Sequence, residues 1–204
     1  MKYVFSISAE GDGYNRKVGT LFDRGAHFRN GKMRDDTMRQ KQLHGKTNNR
    51  RCFVIRVRPY VPDDRDFVLN LAPRLAIGIP PWRDTQKMIV TAQGWITGSI
   101  EQHGKKTMVF VAENELGERL GFATVSHNTH FTGEDQAYIG ELATSEEAEN
   151  RGAGKALAEA CEQWGREQGY RILSLTTGAA NERAIGFYRH IGFLDEDVTL
   201  VKLL

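Results

Sequence analysis

The residues best suited to hold a charged ligand lie in the stretch Arg151-Gly152-Ala153-Gly154-Lys155-Ala156. Small residues at a helix start let backbone N–H groups approach a ligand closely, and the helix dipole favours negative charge at that end. An apolar strand pattern that includes Glu141 precedes the loop, and an amphipathic helix pattern follows it. This order predicts a phosphate-binding turn between a strand and a helix.

The stretch departs from two common phosphate-binding motifs. A P-loop requires Gly-x-x-x-x-Gly-Lys-Ser/Thr, whereas Ala156 follows Gly154-Lys155 and Glu149 occupies the position of the first glycine. A dinucleotide-binding turn would need glycine where Leu157 stands, and the loop that follows the strand is long for such a turn. Both motifs are therefore disfavoured.

Two blocks of sequence resemble one known superfamily. Residues 151–156 resemble the Gln/Arg-x-x-Gly-x-Gly/Ala signature of the GNAT acyl-CoA-dependent N-acyltransferases. Residues 181–193 are similar to the Asn-x-x-Ala-x-x-Phe-Tyr-x-x-x-Gly-Phe element of the same superfamily. The blocks stand in the family's order and separation, and the resemblance covers about residues 53–204. It implies the GNAT fold, an α/β architecture with a mixed, mostly antiparallel sheet flanked by helices.

The resemblance implies that acetyl-CoA is the acyl donor, and it assigns residues to donor binding. The pyrophosphate is expected on the N–H groups of the helix start. The pantetheine arm is expected along a strand edge, where its amides can pair as an added strand would. One backbone N–H near Leu142 would polarise the thioester carbonyl. The expected donor-binding residues are Leu142, Ala143, Thr144, Arg151, Gly152, Ala153, Gly154, Lys155, Ala156 and Asn181.

Two side chains are predicted to take part in the chemistry. By resemblance, Tyr188 lies near the sulfur of CoA and protonates the leaving thiolate. The attacking amine must lose a proton, and Glu141 is the predicted base because its strand lines the cleft. Strand alternation leaves the face of Glu141 open. The glutamate of histone-type members falls on Tyr138 here, so that base is not carried over, and His127 and Glu134 are alternatives.

The acceptor is not identified by these motifs. In the family, the first two helices and the loop before the core strand choose it, and Trp82 and Trp95 fall in that region. Cys161 faces the core of its helix by periodicity, which argues against a nucleophilic cysteine. We therefore expect direct transfer in a ternary complex, without a covalent acyl-enzyme.

The hydrophobic periodicity predicts the elements that position these residues, in the order β, α, α, β, β, β, α, β, α, β. Asp84 and Asn181 are predicted helix caps, and Gly169 is a predicted helix end. The helix after Asp84 has a predicted apolar face of Met88, Ile89, Ala92, Trp95 and Ile96. The predicted strands are 52–58, 107–112, 120–126, 136–144 and 170–176, with one or two more in 193–204. The strands 107–112 and 120–126 are expected to pair as an antiparallel hairpin. A short strand is also expected in residues 3–8.

Composition predicts a cytoplasmic protein without a metal site. No apolar run approaches the ~18 residues of a membrane span, and Cys52 and Cys161 form neither a disulfide framework nor a metal-ligand spacing. Residues 1–50 hold 11 Lys/Arg against 5 Asp/Glu and are predicted to be a mobile basic extension, with the GNAT domain in 51–204. The basic residues are not interleaved with aromatics, so nucleic acid binding is disfavoured.

Three functions remain open at this stage. The first is an acetyl-CoA-dependent N-acetyltransferase whose acceptor is a small-molecule amine or a peptide or protein amine. The alternative is a non-catalytic acyl-CoA-binding sensor or regulator, because a fold does not determine function. The third is a protein that docks on RNA through its basic extension. A homodimer is common in the superfamily that the chain resembles.

Overall fold

In the part of the chain that the structure describes, six strands form one sheet whose spatial order follows the order of the chain. The computed structural model describes residues 3–5 and 54–204. The strands are β1 (Tyr3–Phe5), β2 (Ile55–Pro59), β3 (Thr107–Glu113), β4 (Arg119–Thr129), β5 (Asp135–Thr144) and β6 (Leu173–Leu175). The helices are α1 (Arg65–Asn70), α2 (Thr85–Glu101), α3 (Ala153–Glu167) and α4 (Glu182–His190), with 3₁₀ helices at Pro62–Asp64 and Ala72–Ala76.

The strand pairing is antiparallel from β1 to β5 and parallel between β5 and β6. A tight turn joins β3 to β4, in which the Gly117 N–H donates to the Asn114 carbonyl at 3.0 Å. Gly117 has φ of 78°, a conformation that glycine adopts without steric cost. Parallel strands need a crossover connection, and α3 supplies it between β5 and β6. The predicted hairpin and the predicted GNAT architecture are confirmed.

The sheet is covered on both faces, so its strands are apolar on both sides. One core joins the buried face of α3 to side chains such as Phe110 and Ile139. The other joins Val68 of α1 and Ile96 of α2 to side chains such as Phe122. Alternate strand residues point to opposite faces, which is how single strands contribute to both cores.

The helix boundaries follow the predicted signals in most places. The Asp84 side chain accepts a hydrogen bond from the Lys87 N–H at 3.0 Å and caps α2, as predicted. Gly169, with φ of 85°, stands just beyond the end of α3. The prediction that Trp95 lies on the buried face of α2 is wrong, because its side chain is 51% exposed. Adjacent helix residues are about 100° apart around the axis, so burial of Ile96 turns Trp95 toward the edge of that face.

The prediction of one or two strands in residues 193–204 is wrong. Phe193 packs against the first core, but the described chain has no regular structure beyond it. Leu194 and Leu200 are exposed, at 91% and 89% of their surface. A strand needs a partner edge as well as an apolar pattern. The neighbouring strand β6 has three residues instead of the seven predicted, so it offers a short edge.

A buried ion network holds the first helical segment against the sheet. Asp64 is fully buried and accepts hydrogen bonds from Arg58 Nη1 at 2.6 Å and from Arg119 Nε at 2.6 Å. Glu113 accepts from Arg58 Nε at 2.7 Å and also pairs with Arg56. Burial acts to raise the pKa of Asp64, but these hydrogen bonds outweigh it and lower the pKa to about 2. The Asp64 carboxylate and the arginines that bind it are therefore ionised at neutral pH.

None of the helices in the described residues has the length and apolar character needed to cross a bilayer.

Candidate active site

A gap opens between β5 and β6 at the end of their parallel pairing. The last pair is Ile139 with Leu175, yet β5 continues to Thr144. Over these last residues the edge of β5 on the side of β6 has no strand partner within the described part of the chain. The free edge predicted for residues 142–144 is therefore present, and it opens a cleft beside the start of α3.

Backbone directions in β5 identify the groups that face this cleft. The Glu141 N–H donates to Thr124 Oγ1 at 3.0 Å, and the Ser145 N–H donates to the Leu120 carbonyl at 2.9 Å. Both acceptors belong to the β4 side. Alternate residues of a strand direct their N–H groups to opposite edges, so those of Leu142 and Thr144 face the cleft. Ala143 instead directs its backbone toward β4, so it contributes no N–H to the free edge.

An irregularity in the β4–β5 register places Glu141 on the α2 face of the sheet. The register shifts between Ala123 and Val125 of β4. Ile139 and Leu142 pack with the α3 core, whereas Ala143 packs with the α1–α2 core. Glu141 reaches Ser99 of α2, with 3.2 Å between Oγ and Oε2. The bulge therefore decides the face that the sequence pattern left open.

The Glu141 carboxylate is held in a dry and polar setting. Glu141 is only 6% exposed. The hydroxyls of Ser99 and Thr124 both donate to the same oxygen, Oε2. Burial raises the pKa of Glu141, and the two hydroxyls partly oppose that rise. Because both hydroxyls share Oε2, the other carboxylate oxygen is the one suited to receive a proton.

Tyr188 lies on α4 among aromatic rings. Its ring centroid is 5.0 Å from that of Phe187 and 5.5 Å from that of Phe193. Burial, with a smaller contribution from Cys161, raises the pKa of Tyr188 to about 12. The phenol is therefore protonated at neutral pH and can donate a proton. Cys161 is fully buried in α3 and burial raises the pKa of its thiol, which agrees with the prediction that it is no nucleophile.

The start of α3 presents backbone donors that have no partner within the helix. Two residues in left-handed conformation, Asn150 (φ 58°) and Gly152 (φ 88°), shape the turn around Arg151. The first bond within the helix runs from the Ala156 N–H to the Gly152 carbonyl at 3.0 Å. The preceding N–H groups of the first turn have no acceptor within the helix, an arrangement that is suited to an anion. The side chain of Lys155 approaches Glu159 at 3.8 Å.

Gly154 marks the point where the predicted site elements meet. A Cβ at this glycine would lie 3.5 Å from Phe187 Cζ and 3.9 Å from Leu142 Cδ2. The helix start, the end of β5 and the body of α4 therefore surround one position. The structure brings together Leu142, Gly154 and the α4 element that carries Tyr188, as the predicted site requires.

Asn181 is a helix cap with a second contact. Its Oδ1 accepts from the Ala184 N–H at 3.1 Å, which confirms the predicted cap. Its Nδ2 donates to the Ile77 carbonyl at 3.2 Å, a contact that the sequence did not predict. The positions of Ser99 and Thr124 around Glu141 were also missed, since isolated Ser and Thr residues carry no sequence signal.

The alternative bases lie at the other end of β5. His127 pairs in register with Ala137, five residues before Leu142, a separation of about 17 Å along a strand. Its ring contacts the Tyr170 hydroxyl at 3.1 Å, and Glu134 precedes β5 altogether. Both residues therefore lie toward the end of β5 that is far from Glu141. In residues 54–204, no three His, Cys, Asp or Glu side chains converge as metal ligands. The predicted lack of a metal stays a prediction.

A splayed sheet, a helix start suited to an anion and a cap residue beside them are the features that the resemblance to the GNAT superfamily predicts. The acetyltransferase (GNAT) family matches residues 75–193, which is more than half of the chain. The chain belongs to this family.

Relatives and solved structures agree with the family assignment. An uncharacterized N-acetyltransferase of Methanocaldococcus jannaschii is 30% identical over 84 residues, which are 40% of this chain and 37% of that relative. The match therefore spans little more than a third of the relative's length. A proposed acetyl transferase from Pyrococcus furiosus has a TM-score of 0.59 and 19% identity over 74% of this chain and 99% of its own.

A third similar structure is the aminoglycoside N-acetyltransferase AAC(6')-Iy in complex with CoA. It has a TM-score of 0.55 and 16% identity over 76% of this chain and 97% of its own. At these identities the two solved structures establish the shared fold.

Proposed function

We propose that the protein is an N-acetyltransferase that moves the acetyl group of acetyl-CoA to a primary amine. The observation that carries the proposal is the free edge of β5 beside the start of α3. One surface thus offers donors for a pyrophosphate and, a few residues away, a strand edge for an amide-containing arm. The Leu142 N–H faces that edge and would hydrogen-bond to the thioester oxygen as it gains charge.

The proposed reaction is direct transfer between two bound substrates. Glu141 accepts a proton from the ammonium form of the acceptor, and the free amine attacks the thioester carbonyl carbon. The carbon–nitrogen bond forms, the carbon–sulfur bond breaks, and the Tyr188 hydroxyl gives its proton to the leaving sulfur. The nitrogen then loses its second proton, which restores Tyr188 through solvent, and Glu141 releases the first proton to solvent, so atoms and charge balance.

The acceptor class is proposed as a cationic amine. Residues 51–204 hold 17 Lys/Arg against 21 Asp/Glu, and a mildly acidic domain attracts a cation. The aminoglycoside N-acetyltransferase of similar fold is by its name an enzyme for a small-molecule amine. This supports a small-molecule acceptor over a protein. A cytoplasmic location and a homodimer stay predictions.

The decisive test compares two substitutions at Gly154. A Cβ there would make ordinary contacts at 3.5 Å, so Gly154→Ala is expected to fold and serves as the control. Gly154→Glu places a negative charge at the anion-binding turn. Calorimetry with acetyl-CoA is expected to show binding by the wild type and by Gly154→Ala, and at least 100-fold weaker binding by Gly154→Glu.

Thiol release with a panel of amines completes this test. Release that depends on an amine would establish the transferase and begin to identify the acceptor. Binding without release from any amine would favour the acyl-CoA sensor instead. Absence of acetyl-CoA binding by the wild type would refute the proposed function.

A further inference from the structure

The segment that joins the 3₁₀ helix Ala72–Ala76 to α2 touches the start of α4 at very short range. We call residues 77–84, which include Trp82, the strap. Gly78 has φ of 79°, and a Cβ there would stand 2.4 Å from Asn181 Cβ. On the facing segment, a Cβ at Gly178 would stand 2.9 Å from the Gly78 carbonyl oxygen. Both glycines are therefore needed for the approach of the two backbones.

Asn181 ties this contact to the proposed donor site. Its Oδ1 is occupied by the Ala184 N–H, and its Nδ2 donates to the Ile77 carbonyl at 3.2 Å. An amide nitrogen carries two hydrogens, so one remains for another acceptor. In the proposed function that acceptor is a carbonyl of the pantetheine arm. One side chain would then hold the helix cap, the strap and the ligand together.

A second link joins the same elements a few residues away. Arg74, in the 3₁₀ helix before the strap, pairs with Glu149, and Glu149 Oε2 accepts from Arg183 Nη1 of α4 at 2.7 Å. Glu149 lies in the loop that leads to the start of α3. The 3₁₀ helix and α4 are thus joined through the loop that precedes the anion-binding turn.

We propose that Gly78 and Asn181 form a latch that couples binding of CoA to the position of the strap. This inference rests on the proposed function, because CoA is the ligand that Asn181 would hold. A ligand that immobilises the Asn181 amide also immobilises the strap that the amide holds. By thermodynamic linkage, a strap held in place strengthens CoA binding by the same factor. Gly78 is in this account a positioning residue, and Trp82 moves with it on the acceptor side.

Trp82 makes the latch measurable, since it lies on the strap and is 50% exposed. Trp95→Phe and Trp164→Phe leave it as the single tryptophan of the full-length chain. Gly78→Ala in this background breaks the latch. The matched control is Gly104→Ala, because Gly104 has φ of 74° and a Cβ there would meet no atom of the described residues within 4 Å. Both variants carry the same backbone strain, and only one has the close contact.

Acrylamide quenching of Trp82 is the first readout. Gly78→Ala is expected to raise the quenching constant about twofold, with Gly104→Ala unchanged. Saturating CoA is expected to lower quenching in the single-tryptophan protein and in Gly104→Ala, but not in Gly78→Ala. Calorimetry is expected to show several-fold weaker CoA binding by Gly78→Ala only. Asn181→Ser, which keeps a capping hydroxyl and loses the amide donor, is expected to raise quenching as Gly78→Ala does.

Three results would overturn the proposal. Equal quenching in Gly78→Ala and Gly104→Ala would show that the contact does not hold the strap. CoA binding that leaves Trp82 quenching unchanged would show that the strap is not coupled to the ligand. No CoA binding by any variant would refute the coupling together with the proposed function, whereas the quenching difference without ligand would still report the contact between the strap and α4.

Discussion

Glu141 is proposed to accept a proton and Tyr188 to donate one, and burial raises the pKa of both side chains. Burial raises the pKa of the Glu141 carboxyl, which makes the carboxylate a stronger base toward an ammonium ion. Burial also raises the pKa of Tyr188 to about 12, which keeps its hydroxyl protonated at neutral pH. The same desolvation raises the basicity of a thiolate that forms in the cleft, so the phenol can hydrogen-bond to the leaving sulfur and protonate it.

Glu141→Gln tests the base. The wild-type kcat/KM is expected to rise with pH through the raised pKa of Glu141 and then level off. The variant is expected to lose that rise and about 100-fold of its activity, within the range for general base catalysis. Ser99→Ala is the matched control, because it removes a hydroxyl that lowers this pKa. It is expected to shift the inflection to higher pH with little loss on the plateau.

Stability separates the chemical effect of Glu141→Gln from misfolding. The folded pKa of Glu141 lies above the unfolded value of about 4.3, so ionisation opposes folding as pH rises above that value. Glutamine cannot ionise. Urea unfolding at pH 8 is therefore expected to show the variant at least as stable as the wild type. A clear loss of stability would mean that the carboxylate has a structural task.

Tyr188→Phe tests the acid. The substitution keeps the aromatic packing beside Phe187 and removes only the hydroxyl. We expect kcat to fall 10- to 100-fold while the Kd of acetyl-CoA changes less than threefold. Since the pKa is about 12, the wild type is expected to show no loss of rate from Tyr188 below about pH 10. An equal kcat for both proteins would exclude Tyr188 as the proton donor.

At the scale of the elements, the cleft exists because β6 stops while β5 continues. The parallel pairs end at Ile139 with Leu175, and the pairs with β4 continue to Thr144. The edge of β5 beside β4 is thus paired to the end of the strand. The edge on the side of β6 has no strand partner over the last residues within the described part of the chain. The bulge near Thr124 then turns Glu141 toward α2 while Leu142 keeps its contact with the α3 core.

Hydrogen exchange measures this asymmetry directly. The amides of Glu141 and Ser145 bond to acceptors on the β4 side and are expected to exchange slowly. The amides of Leu142 and Thr144 face the cleft and are expected to exchange at least tenfold faster. Acetyl-CoA is expected to slow these two amides and to leave the protected pair unchanged. Uniform protection along residues 141–145 without ligand would contradict the open edge.

In the molecule as a whole, the Asp64 network holds the first helical segment against the sheet. Removal of one partner from a buried ion pair leaves an uncompensated charge, which commonly costs ~3–5 kcal/mol. Asp64→Ala is expected to lower the free energy of unfolding by that amount at pH 7. The neighbouring Asp63 is exposed, and Asp63→Ala is expected to change it by less than ~0.5 kcal/mol. Urea denaturation of both variants is the measurement.

The same network predicts acid sensitivity. The folded pKa of Asp64 is about 2, below the unfolded value of about 3.9, so its contribution to stability is present above that value. It is lost as pH falls from about 4 through 2, an expected decrease of ~2 kcal/mol. Asp64→Asn removes this titration. The variant is therefore expected to show a shallower loss of stability than the wild type in this interval.

Local signals were enough to predict much of the fold. Asp84, Asn181 and Gly169 act within one turn of their own helices, so their roles follow from neighbouring residues. The strand of residues 136–144 and the hairpin before it also depend on local alternation and turn chemistry. The predictions for Trp95 and for residues 193–204 were wrong for the opposite reason, since burial and strand pairing depend on partners that are distant in sequence.

The family could be predicted from the sequence, because the turn at residues 151–156 and the motif at residues 181–193 are short contiguous patterns. The face that Glu141 occupies, the N–H groups that face the cleft and the contact between Asn181 and the strap depend on the folded chain. A register shift in β4, the end of β6 and the contact with Gly78 set these features. Each depends on residues that are at least 17 positions apart in the sequence, and no local pattern encodes such a contact.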